Sequence, residues 1–306
     1  MPDRAVIRLK GTLSVTKTAK PRRSALYMPA SNAKAIDKAR NLPCDVVILD
    51  LEDAVAPDSK AMAREQAVAA VKAGGFGRRE LVIRCNGLDT PWGAEDLAAA
   101  AAAGPDAILV PKVNDAADVA AYNAAIAAAP ASTQLWAMIE TCRCLFNLPQ
   151  IAEASTSSRM TTWVMGTNDL AKEMRARQTP DRAPFHAALS LSVAAARLYG
   201  LTILDGVYND IDNEEGLSAI CEQGVDFGFD GKTLIHPKQV EICNRVFSPS
   251  EAEVAWAKAV IAAFALPENQ GKGAIRVEGR MAELLHLVQA ESLVAVAAAI
   301  AEAAAA

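Results

Sequence analysis

The sequence predicts an α/β protein built as a closed (β/α)8 barrel, a TIM barrel, followed by a C-terminal helical lid or arm. Three observations predict it. Eight short, nearly continuous apolar runs recur along the chain, the pattern of parallel strands buried on both faces. Alanine-rich segments long enough to hold a crossover helix separate most of them. The loop after the first run reads PASN with no GxGxxG, which removes the main support for an open dinucleotide-binding sheet.

The first strand is SALYMP, from Ser24 to Pro29. The second, VVILDLE at Val46 to Glu52, leads into the helical SKAMAREQAVAAVKA, which GGFG at Gly74 to Gly77 closes. LVIRCN at Leu81 to Asn86 and AILVPKV at Ala107 to Val113 are the third and fourth, and the helical AADVAAYNAAIAAA after the fourth stops at Pro130. QLWAMIET at Gln134 to Thr141, TWVMG at Thr162 to Gly166, LTILDGV at Leu201 to Val207 and FGFDGKTLIH at Phe227 to His236 complete the eight. Beyond them the pattern changes. SPSEAEVAWAKAVIAAF, Ser248 to Phe264, opens with Ser250 as a helix cap and an acidic first turn. The glycine- and charge-rich ENQGKGAIRVEGR and a last helix ending in alanines follow. These breaks place a barrel domain at residues 1–266 and an extension at 267–306, either a lid, an arm on another subunit, or an outer helix of the barrel.

A chain of 306 residues, 52% hydrophobic and 22% charged, can build one large core with an ordinary solvated surface. Its net charge of -5 offers no basic surplus for a nucleic-acid backbone. The amino terminus, MPDRAVIRLK, lacks an apolar signal core, and no uninterrupted apolar run approaches the roughly 18 residues of a membrane span. Cys44, Cys85, Cys142, Cys144, Cys221 and Cys243 lie mostly in apolar stretches, with no second close pair beside TCRC, so reduced thiols in a cytoplasmic protein fit better than a metal cluster.

In barrels the working residues sit where strands end and the following loops begin. Asp50 directly follows Val46 to Leu49, where an unpaired carboxylate costs several kcal/mol, so pairing or function is expected; Glu52 and Asp53 follow it. Arg84 ends the third strand and needs an anionic partner, either Asp50 or Glu52, or a substrate oxygen. Lys112 holds the matching place on the fourth and is expected to pair with a carboxylate. Glu140 ends the fifth strand and Asp169 follows the sixth. Two carboxylates so close repel, and a hard divalent ion or the neighbouring Arg84 and Lys112 would balance them. His236 could serve as base, ligand or core histidine, while three histidines in all are too few for a histidine-rich zinc centre. No GxSxG elbow is present.

These residues carry a resemblance. RRSALYMPASN at Arg22 to Asn32, DVVILDLEDAVAPDSKAMAR at Asp45 to Arg64, VIRCNGLDT at Val82 to Thr90, IET at Ile139 to Thr141 and GTNDLA at Gly166 to Ala171 come in one order. LDGVYNDIDNEEGL at Leu204 to Leu217 and GFDGKTLIHPKQVEICNRVFSPS at Gly228 to Ser250 follow. Together they resemble the citrate lyase beta-subunit and malyl-CoA lyase group of CoA-ester lyases. The resemblance implies a cytoplasmic homotrimer or homohexamer that uses Mg2+ to cleave or form a carbon–carbon bond in a 3-hydroxydicarboxylic acyl-CoA, such as malyl-CoA or citramalyl-CoA. It implies Glu140 and Asp169 as metal ligands, Arg84 beside the thioester and enolate oxygens, Asp50, Glu52 and Asp53 as orienting acids, and Arg22, Lys34 and Lys60 on the CoA side.

Two departures matter. Ala30 stands where the family commonly has glycine, which restricts the first loop. Glu283, in VEGRMAE, stands where malyl-CoA lyases carry a lid aspartate. A displaced acid there favours water attack, a malyl-CoA thioesterase-like hydrolysis, as the alternative. Aldol cleavage of a free 2-keto acid, or a beta-like subunit acting on a carrier-bound thioester, are the further readings.

Overall fold

In the computed structural model, which describes residues 20–304, each apolar run becomes a strand and the eight strands close in chain order into a parallel barrel. They are β1 (Ser24–Pro29), β2 (Val46–Asp50), β3 (Glu80–Arg84), β4 (Ala107–Val110), β5 (Gln134–Ile139), β6 (Met160–Met165), β7 (Thr202–Asp205) and β8 (Gly231–Leu234). β1 closes the cylinder by pairing with β8, Ala25 opposite Thr233. Most strands stop earlier than the apolar patterning suggests, leaving Glu52, Asn86, Lys112 and Glu140 just past their ends, in the loops of the C-terminal mouth. The amino-terminal stretch MPDRAVIRLK and the last two alanines lie outside the described residues.

Strand alternation sorts the side chains. Ala25, Val46, Ile48, Val82, Leu109, Trp136, Met138, Val164 and Leu204 point inward and fill the barrel, with Tyr27 packed against them. Their neighbours Leu26, Val47, Leu49, Ile83, Ile108 and Ile203 point outward and join the larger core beneath the helices. The same parity turns Asp205 outward. It is buried in the layer of the helix Glu214–Phe227, gripped by Lys232 at 2.8 Å and by Arg182 at 2.7 Å. Burial opposes its charge, yet these two cations hold its carboxyl below the usual range.

A second compact unit begins at Ser248, earlier than the break expected after residue 266, because the helix Glu251–Ala265 belongs to it. Ser250 caps that helix in a reciprocal box with Glu253. Ala257, Val260 and Phe264 pack with Ile275, Val277, Ala282 and Ala290 in a small core of their own. β9 (Ala274–Val277) and β10 (Arg280–Glu283) form an antiparallel hairpin whose two-residue turn, Glu278 and Gly279, has both φ values positive, as a primed turn demands. The final helix, Leu284–Ala304, has the length and hydropathy of a membrane span, but His286, Gln289, Glu291 and Glu302 interrupt it.

Candidate active site at the C-terminal mouth

Register places the site's central pair. Asp50 and Arg84 stand opposite each other across β2 and β3, both on the inward face. Arg84 therefore grips Asp50 with both arms of its fork, Nε to Oδ1 at 2.7 Å and Nη2 to Oδ2 at 2.6 Å. Its Nη1 lies 2.9 Å from Glu52 and 3.4 Å from Asp53. Burial works against the guanidinium charge, but Asp50 and Glu52 outweigh it and hold Arg84 well above its ordinary pKa. Asp50 also accepts the backbone N–H groups of Glu52 and Ala54, so the loop after β2 is wound around its carboxylate. Both partners expected for Arg84 are thus present together.

Glu140 is buried and accepts the backbone N–H of Lys112 at 2.8 Å. Lys112 adopts a left-handed conformation, φ 49°, which for a side chain with a Cβ costs roughly 1–2 kcal/mol. That strained turn is what aims the N–H at Glu140. On the other side Gly166 leaves room: a Cβ there would meet Glu140 Oε2 at 2.3 Å. Burial, then the Glu52 charge, pushes the Glu140 carboxyl up to about 8. Burial likewise pushes Glu52 up to about 7, with Asp53 and Asp50 adding to it against the pull of Arg84. Lys112 Nζ stands 4.0 Å from Glu52, the pairing expected of it, and Glu52, Asp169 and Glu140 raise its pKa against the opposing effect of burial.

Asp169, in the first turn of the helix Thr167–Met174, faces the same cavity as Glu140. That cavity, about 320 Å3, is lined by Tyr27, Asp50, Asp53, Arg84, Met138, Glu140, Met165, Asn168, Asp169, Val207 and Ile235, among others. The carboxylates of Asp50, Glu52, Asp53, Glu140 and Asp169 outnumber the cations of Arg84 and Lys112 around it. Among the described residues no three His, Cys, Asp or Glu side chains form a ready-made metal cage. Two oxygen-donor side chains with open positions are what Mg2+ takes when it keeps waters and substrate oxygens as its other ligands. The donor set fits a hard divalent cation.

The structure removes two residues from the CoA side. Arg22 precedes β1 and lies at the opposite, N-terminal mouth, where it grips Glu80 at 2.6 and 2.9 Å and donates to Gln134, Thr162 and Thr202. A side chain at a strand's start cannot reach loops at its end. Lys60 is buried, and its ammonium donates to the carbonyls of Leu51 and Glu52 at 2.7 Å and to Asn86 at 2.8 Å, fastening the loop after β2. Three acceptors leave it nothing for a ligand. Lys34 is exposed in the first turn of the helix Ala33–Ala39, directly after β1. Ala30 does not take up a left-handed φ, so its methyl group causes no backbone strain in that loop.

His236 is a local cap: its Nδ1 accepts the N–H of Lys238, and Gln239 completes the box. Glu283 ends β10 in the second unit, exposed, its backbone N–H donating to His286 Nδ1 at 3.0 Å. Reading strand ends alone overlooks Tyr27 and Met138, which line the cavity from within β1 and β5. The signal was alternation, since both lie on the inward parity of Ala25 and Trp136.

Comparison with known proteins follows the same residues. Residues 23–237 match the HpcH/HpaI aldolase/citrate lyase family. A (3S)-malyl-CoA thioesterase of Cereibacter sphaeroides is 51% identical over 283 residues, 92% of this chain and 97% of that protein. An L-malyl-CoA/beta-methylmalyl-CoA lyase of the same species is 34% identical over 302 residues, 90% of this chain and 94% of that one. The structure of the protein CitE from Mycobacterium tuberculosis in complex with magnesium, acetoacetate and coenzyme A superposes with a TM-score of 0.73 at 29% identity, covering 92% of this chain and all 100% of that one.

Proposed function

As the chain belongs to the HpcH/HpaI aldolase/citrate lyase family, we propose that it is an Mg2+-dependent enzyme that hydrolyses a malyl-CoA-type thioester. The observation that carries this reading is the cluster at the C-terminal mouth: one bidentate Arg84–Asp50 pair facing two carboxylates that need a cation. The preference for hydrolysis rests on the relatives, 51% identical for the thioesterase against 34% for the lyase.

Glu140 and Asp169 would hold the metal. When bound, Mg2+ supplies Lewis-acid polarisation and neutralises their mutual repulsion. The chain's own residues do the rest. Arg84, locked by Asp50, presents fixed positive charge where a thioester oxygen gains charge. Asp50, by accepting the Glu52 and Ala54 N–H groups, keeps the acidic loop in place. Glu52, 2.9 Å from Arg84 Nη1 and pushed up to about 7 by burial, would be the base that takes a proton from water near neutrality. Lys34, exposed at the same mouth, offers charge to the phosphates of CoA.

Carbon–carbon cleavage is the second reading, because the same guanidinium would steady an enolate as well as a tetrahedral oxyanion. Glu283 of the extension is the proposed lid acid, in a homotrimer or homohexamer. One experiment separates the reactions: the purified protein is incubated with (3S)-malyl-CoA and Mg2+ and its products are resolved. Malate with free CoA supports hydrolysis, whereas glyoxylate with acetyl-CoA replaces it with the lyase. No turnover on the soluble ester favours a subunit acting on a carrier-bound thioester.

A further inference from the structure

The donors of Arg84 are nearly exhausted. A guanidinium has five N–H groups. Nε and one Nη2–H are given to Asp50, and Nη1 is shared between Glu52 and Asp53. A single Nη2–H is left for a ligand. Oxyanion sites work through preorganised donors aimed at the developing charge, and losing one is costly. A second donor is therefore worth seeking on the same cavity wall.

Tyr27 supplies one. Its ring lies under Arg84, 4.7 Å from the guanidinium carbon, and forms part of the cavity lining with Arg84 and Glu140. Its hydroxyl reaches Met138 Sδ at 3.5 Å and has no other partner among the described residues. A thioether is a weak acceptor, so this contact leaves the O–H largely unspent. Tyr27 is only partly buried, so its weakly paired hydroxyl faces the cavity and is available to a ligand. Burial raises the phenol's pKa, which keeps the proton on oxygen as a donor.

We propose that Tyr27 is a catalytic residue, donating a hydrogen bond from its hydroxyl to the thioester carbonyl oxygen beside the free Nη2–H of Arg84. This rests on the thioester reading above. In hydrolysis a C–O bond forms to water while the carbonyl π pair moves onto oxygen. The pair returns as the C–S bond breaks, and the proton lost by water ends on the CoA sulfur. Tyr27 keeps its proton throughout.

Tyr27→Phe tests it, since the ring stays under Arg84 and only the hydroxyl goes. The expected result is a kcat lower on the order of 10²-fold, with KM near the wild-type value and an unchanged melting temperature. A CoA thioether analogue lacking the carbonyl oxygen should bind both forms equally, and weaker binding to Tyr27→Phe would show a disturbed pocket and overturn the hydrogen-bonding role. Wild-type kcat in Tyr27→Phe overturns it directly while leaving the thioester reading intact. A wild-type protein silent on malyl-CoA sinks that reading, and the Tyr27 role with it.

Discussion

The two mouths of the barrel hold the same device put to opposite ends. At the N-terminal mouth Arg22 forks onto Glu80, and its remaining N–H groups go to Gln134, Thr162 and Thr202. All five donors are spent on acceptors at that mouth. At the C-terminal mouth Arg84 forks onto Asp50, but its surroundings are acidic in excess and a cavity opens above it. Two buried arginine–carboxylate pairs of nearly equal geometry therefore differ in what is left over. The satisfied one closes the barrel floor, and the unbalanced one is available for chemistry.

The largest break in this comparison should come from the two acids proposed to hold Mg2+. Asp169→Ala or Glu140→Gln removes a ligand from a cation worth several kcal/mol at the transition state, so kcat/KM for malyl-CoA should fall by roughly 10³-fold or more. Calorimetric titration with Mg2+ in the presence of CoA ester should show the binding lost as well. Full activity in either variant removes the metal site.

Swapping the same chemistry between mouths comes next. Arg84→Gln should cost roughly 10²–10³-fold in kcat. Arg22→Leu should leave kcat per folded molecule near wild type but destabilise the chain by roughly 3–5 kcal/mol, because the buried Glu80 loses the guanidinium fork that grips it. Denaturant unfolding and steady-state kinetics on both variants check this. Arg22→Leu with intact stability and lost turnover would reverse the assignment of the two mouths.

Much of this was legible in the chain. The alternating apolar runs foretell the barrel, and Asp50 at the end of VVILD needs a partner for a reason that solvation alone supplies. Arg22 shares the motif RRSALYMP with the first strand but precedes it, and so belongs to the other mouth. No sequence pattern shows that Lys60, nine residues on, folds back to the carbonyl of Leu51. Asp205 ends β7 as Asp50 ends β2, yet its parity sends it to the helix layer. A strand end names the mouth, and alternation decides whether a side chain enters it.

A smaller effect separates the mouths by pH. In the metal-free protein, burial lifts Glu52 to about 7 and Glu140 to about 8, both above the ordinary carboxylate value of 4.5. The folded state thus keeps protons that the unfolded chain releases. This contribution to stability is complete below the unfolded value and is lost as pH climbs through 7 and 8. Melting temperatures in EDTA should fall between about pH 5 and about pH 9, and saturating Mg2+ should flatten the slope by favouring the ionised carboxylates. Arg22→Leu should leave that slope unchanged, and Glu140→Gln should reduce it. A metal-free melting temperature that rises over this range runs against the sign.

The smallest effect divides two lysines that follow β1 and β2. Lys34 is exposed at the rim, and a single solvated cation facing a phosphate contributes roughly 0.2–1 kcal/mol. Lys34→Ala should raise KM for the CoA ester by about two- to fivefold, leave kcat alone, and lose its effect in high salt as the charges are screened. Lys60→Met should behave in the opposite way. Its ammonium ties Leu51, Glu52 and Asn86 together under the loop that carries the acids. Removing it strands those buried acceptors, so stability drops by roughly 1–3 kcal/mol while KM keeps its wild-type salt dependence. If Lys60→Met instead raised KM in a salt-sensitive way, its ammonium would have to leave three acceptors to reach the ligand, and the loop would be a moving part of the CoA site rather than its fixed support.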